Sequence, residues 1–90
     1  MRRLELGLAT ITPGALELLG SLEVSPSELL QRHASGDWGD VPPEDVRENE
    51  HALEHGFRVM SSYPLSGGVR VWIITERDRS LTTILLPAEY

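Results

Sequence analysis

The sequence contains neither cysteine nor lysine. Without thiols, a disulfide framework, iron–sulfur clusters, thiolate zinc sites and cysteine nucleophiles are all excluded. A small disulfide-free domain fits a reducing compartment, so a cytoplasmic location is expected. Long apolar runs are also missing. No stretch approaches the ~20 apolar residues of a membrane span. Glu5 interrupts the apolar start that follows Met1-Arg2-Arg3, which argues against a cleaved signal peptide. No membrane partner is therefore expected. Basic surplus is lacking too: net charge is −6, and all the basic residues are Arg. Nucleic-acid binders usually carry a basic footprint. Here the first 56 residues hold most of the acids, and only the C-terminal third comes near to a local excess of arginine.

What is present fits one α+β domain over residues 1–90, since a second core would need more chain. Leu4 to Ile11 alternates apolar with small or polar residues and predicts a short strand. Thr12-Pro13 and Ser25-Pro26 each place a capping residue before proline at the first helical position. Glu28 stands where a capping box needs it. The second helix stops at Gly36. A third helix begins near Pro43, carries Glu44 and Asp45 in its first turn, and ends at Gly56. The period then changes from 3.6 to 2. Phe57–Tyr63, Val69–Glu76 and Leu81–Leu86 read as strands joined at Ser66-Gly67-Gly68 and at Arg77-Asp78-Arg79-Ser80. The expected fold is a short N-terminal strand and two to three helices packed on a three- to four-stranded antiparallel sheet.

Strand alternation sorts the side chains by face. With an even number of residues in both hairpin loops, Met60, Ser62, Val69, Val71, Ile73, Thr82, Ile84 and Leu86 share the helix side. Val59, Ser61, Tyr63, Arg70, Trp72, Ile74, Glu76, Thr83 and Leu85 share the other. That second set mixes aromatic, hydroxyl and charged groups, as a ligand-facing sheet or a homodimer interface would.

Several residues carry chemistry. His51-Ala52-Leu53-Glu54-His55 matches the inverted zinc-peptidase pattern, in which histidines one turn apart chelate zinc. The later helical Glu of those enzymes is missing, so a solvated helix face is the plainer reading, and neither metal nor cofactor is expected. His33 reads as a hydrogen-bonded histidine at the core edge or as a general acid or base. Trp38, between glycines and aspartates, either plugs the core or offers a base a stacking platform. Asn49 is placed to tie down the loop at 37–40. Arg77 and Arg79, at a charged hairpin tip, belong to a solvated turn or hold a phosphate.

Ser35-Gly36-Asp37-Trp38-Gly39, and the run from Val71-Trp72-Ile73-Ile74-Thr75-Glu76-Arg77-Asp78-Arg79 through Ser80-Leu81-Thr82-Thr83-Ile84-Leu85-Leu86 to Pro87-Ala88-Glu89-Tyr90, resemble a family of small bacterial "plasmid-related" proteins of plasmids, phages and genomic islands. The family has no established activity, and its setting implies toxin, anti-defence or maintenance roles. The element order is also similar to the barnase-like toxin-ribonuclease superfold. That likeness implies RNA cleavage on the open sheet face without metal, with His33, Tyr63, Arg70, Glu76 and Thr83 as the catalytic set and Trp38, Trp72, Arg77 and Arg79 as binding residues. Two functions are thus expected in competition. One is a mobile-element domain acting on nucleic acid as a metal-independent ribonuclease. The other is a non-catalytic module that binds a protein partner, such as an acidic inhibitor of a defence complex.

Overall fold

The computed structural model describes residues 2–90. The chain runs through β1 (Leu8–Ile11), α1 (Pro13–Ser21), α2 (Pro26–Ala34), α3 (Pro43–His55), β2 (Val59–Pro64), β3 (Arg70–Thr75) and β4 (Leu81–Leu85). Each helix opens on a proline, which costs no intrahelical hydrogen bond there. Thr12 Oγ1 accepts from the Ala15 amide at 3.2 Å and caps α1. Ser25 makes no such bond, so the capping box expected with Glu28 is not formed. Glu44 and Asp45 meet the positive end of α3, and Gly56 closes it. Among the described residues no helix is long and apolar enough to cross a membrane.

The strands form one sheet in the order β1-β4-β3-β2. The expected all-antiparallel sheet is corrected in one respect: β1 lies parallel to β4, with Leu8 opposite Leu81 and Ile11 opposite Ile84. Only the last four residues of the expected N-terminal strand pair. Upstream, the amides of Arg3 and Leu4 both bond the Ala34 carbonyl at the end of α2, at 2.7 and 3.1 Å.

The face assignment also needs correction. Tyr63 stands opposite Val71 and Pro64 opposite Arg70, so residues 65–69 form an odd, five-residue loop. Gly67 and Gly68, at φ 80° and 75°, absorb the extra residue. The second hairpin is even, with Thr75 opposite Thr82. Val59, Ser61 and Tyr63 therefore join Val71, Ile73, Thr75, Thr82 and Ile84 on the helix side, and all eight are buried. Met60 and Ser62 move to the outer face with Arg70, Trp72, Ile74, Thr83 and Leu85. Beneath the sheet, Tyr63, Val71, Ile73 and Ile84 pack on Ala15, Leu19 and Leu29. A second cluster joins Leu4, Leu6, Ala34, Trp38, Ala52 and Val59.

The outer edge of β2 is closed by groups that are not a strand. The Asn49 amide donates to the Met60 carbonyl at 2.8 Å and accepts from the Met60 amide at 3.2 Å. Two residues on, the Ser62 amide donates to the Trp38 carbonyl at 3.0 Å, and the Asp40 amide donates to the Ser62 carbonyl at 2.7 Å. Asn49 therefore secures β2, not the loop at 37–40, and that loop holds itself to the same edge through its backbone.

Candidate nucleic-acid interface

The sheet separates the residues expected to act together. His33 and Tyr63 are fully buried on the helix side, while Arg70 and Thr83 lie on the outer face. His33 belongs to a closed hydrogen-bond chain. Thr82 Oγ1 donates to the Leu6 carbonyl at 2.7 Å, an oxygen that only accepts. Thr82 must then accept from Thr75 Oγ1, 2.7 Å away, and Thr75 from His33 Nε2 at 2.9 Å. His33 Nδ1, left without a proton, accepts from Ser61 Oγ at 2.6 Å. Every donor thus points one way along the chain, and the imidazole is the neutral Nε2–H tautomer. Burial, with Arg79 adding to it, lowers the His33 pKa from 6.5 to about 4. No solvent path or free lone pair is left for a proton-transfer role.

The remaining candidates have local partners. Tyr63 donates to the Asp37 carbonyl at 2.6 Å, and burial pushes its phenol up to about 12. The Arg32 guanidinium covers its ring at 4.5 Å. Trp38 is 4% exposed, packs edge-on against His33 and donates from Nε1 to Glu50 at 3.2 Å. Arg70 donates to Ser62 Oγ at 2.7 Å and pairs with Asp40 at 3.3 Å. Thr83 shares a 3.1 Å hydroxyl contact with Thr10. Arg79 gives its fork to backbone, reaching the carbonyls of Phe57 at 2.6 Å and Ala52 at 2.9 Å. It therefore ties the last turn of α3 to the β3–β4 hairpin.

Arg77 and Glu76 meet a cluster that the sequence reading did not assemble. At the C-terminal end of α3, the His51 and His55 rings stack at 4.1 Å and 18°. Phe57 packs beside the pair, 5.7 Å from His51 and 6.4 Å from His55 and within 18° of parallel to both, so the three rings form a triangular cluster. The Arg77 guanidinium sits over Phe57 at 5.9 Å. Phe57 is 44% exposed. A groove of about 570 Å³ beside the ring cluster is lined by Glu44, Arg47, Glu48, His51, Phe57 and Arg58, and a smaller recess by Phe57, Arg58, Glu76 and Arg77. Among the described residues, Arg47, Arg58 and Arg77 form no ion pair within 4 Å, whereas Arg3, Arg32 and Arg70 do.

Around the two histidines, His55 Nδ1 donates to the His51 carbonyl at 3.0 Å, and among the described residues no third His, Asp or Glu joins them. Their stacked rings also present parallel edges. In-line cleavage at phosphorus requires acid and base on opposite sides of the reacting atom. The geometry suits stacking and anion contact. The signal in the sequence was an aromatic directly after the helix-ending Gly56, two residues beyond a His pair. Read as the first residue of a strand, Phe57 was passed over.

No protein-family model, curated protein or solved structure matches the chain.

Proposed function

We propose that the protein binds single-stranded nucleic acid at the His51–His55–Phe57 ring cluster, and that it binds without cleaving. The observation that carries this reading is an exposed triangular cluster of near-parallel rings, with Arg77 over Phe57 and with unpaired Arg47 and Arg58 alongside. An unpaired base stacks on such a platform whatever its identity, and guanidinium forks take the phosphates. Glu44, Glu48 and Glu76 balance the three arginines around the groove. Affinity must therefore come mainly from stacking. A duplex, whose bases are already stacked, gains little here. An accessory factor of a mobile element that handles exposed strands fits this chemistry and the resemblance of the C-terminal strands.

The test is anisotropy of a labelled oligouridylate in EDTA, beside a hairpin duplex of the same length. Saturable binding of the single strand is expected, with a logarithmic salt slope of about −2 for three arginines at roughly 0.7 each. Phe57→Ala should lose about 1–3 kcal/mol, the worth of one stacked base. The oligomer should be recovered intact. Equal binding by Phe57→Ala, or preference for the duplex, overturns the reading.

A further inference from the structure

We infer that the binding track does not end at the ring cluster but crosses Arg58 onto the outer sheet face, where Tyr90 and Trp72 form a second stacking station for the same strand. This rests on the single-strand reading above and extends it to a longer ligand. Arg58 is the shared element. It lines the groove with Phe57, and it also lines a neighbouring recess with Asp45, Glu48, Asn49 and Met60 beside β2. Its guanidinium lies over the Tyr90 ring at 5.4 Å and donates to the Tyr90 hydroxyl.

Tyr90 in turn meets Trp72 edge-to-face at 5.8 Å. Tyr90 is 65% exposed and Trp72 half-buried, unlike Trp38 in the core. The turn that carries Tyr90 is fixed in place. Glu89 accepts from Thr12 Oγ1 at 2.6 Å and from the Leu86 amide at 2.7 Å.

Register gives the span. Ser62 faces Trp72, so β2 runs three residues from Val59 to that level, roughly 10 Å at the rise of a strand, and Phe57 lies two residues further upstream. That is more than one nucleotide covers. Beyond Trp72 stands Arg70, already paired with Asp40 and Ser62, which ends the cationic path. A continuous series of ring, guanidinium and rings thus leads from α3 to mid-sheet. The occupant is a flexible polyanion with stackable faces, because Arg58 links the two aromatic stations and has no carboxylate partner.

The two tryptophans make the test direct. In a Trp38→Phe variant the only indole is Trp72. It is titrated with uridine dinucleotide and with an oligouridylate of about eight residues, within the site sizes of single-strand binders. Labelled-oligomer anisotropy is followed in parallel. The longer oligomer should quench Trp72 emission and bind at least tenfold more tightly than the dinucleotide. Tyr90→Ala, made in the otherwise unchanged chain, should shrink that length advantage to within about threefold. If the oligomer binds by anisotropy while Trp72 emission and the Tyr90→Ala length dependence stay unchanged, the track stops at the ring cluster and this inference is wrong. If neither oligomer binds, the ring-cluster reading itself fails and takes the extension with it. Should Trp38→Phe not fold, the length dependence of Tyr90→Ala against the parent decides alone.

Discussion

Acidification should weaken the fold through His33 before any carboxylate contributes much. The imidazole titrates near 6.5 when unfolded and near 4 in the core. The native state therefore holds the proton more weakly. Stability is complete above about pH 6.5 and is lost as pH falls from there toward 4. Between pH 7.5 and pH 5 the loss works out at about 2 kcal/mol. For a domain of this size that is a fall of roughly 10 °C in Tm. Asp37, Glu50, Asp78 and Glu89 all have lowered pKa values, so their losses come at more acidic pH than this window.

The assay is urea unfolding followed by tryptophan emission at half-unit pH steps, for the parent and for His33→Gln. The variant should be less stable at pH 7.5 but nearly flat down to pH 5. Nitrogen NMR should show the His33 Nε2–H tautomer persisting below pH 5. A parent midpoint that does not move between pH 7.5 and 5, or a variant with the parent's slope, refutes the one-way chain as the source.

Three further outcomes follow from the geometry. Gly39→Ala should cost at least about 2 kcal/mol in thermal melts, since φ is 76° and a Cβ would strike the Ser62 carbonyl. Gly67→Ala, at φ 80° but with open space around it, should cost only about 1 kcal/mol. Asn49→Leu should cost about 1–3 kcal/mol by unpairing both backbone groups of Met60, and the Met60 amide should lose its protection from hydrogen exchange.

Local chemistry made much of the fold legible. Thr12-Pro13, Ser25-Pro26, Pro43 and Gly56 mark helix ends by rules that need only neighbouring residues, and each helix begins where they say. The last three strands followed from period-2 alternation to within two residues, whereas the first begins four residues later than expected. Loop parity was not legible. Ser66-Gly67-Gly68 announces a turn but not how many residues it holds out of register, and one residue exchanged the faces of Val59, Ser61 and Tyr63 with those of Met60 and Ser62. That slip placed Tyr63 on the same face as Trp72.

The parallel pairing of Leu8 with Leu81 was hidden for a different reason. Nothing local to either residue specifies a partner more than seventy positions away. The ring cluster is a third case. His51 and His55 were visible as a helical pair, but their alignment with Phe57 and Arg77 depends on how Arg79 draws the hairpin tip to the end of α3. The hydroxyl chain around His33 was equally invisible, because its members come from three separate strands and one helix.

The closed edge of β2 has a consequence for how copies of the chain can associate. A sheet with two open margins can add strands at both and grow without limit, as fibrils do. Here Asn49 and the Trp38–Asp40 segment occupy one margin, while β1 has a neighbour only on its β4 side. A growth unit with a single open margin terminates after one addition. Sheet-to-sheet joining of this molecule therefore stops at a pair, and removing the Asn49 clasp would turn a self-terminating unit into one able to polymerise.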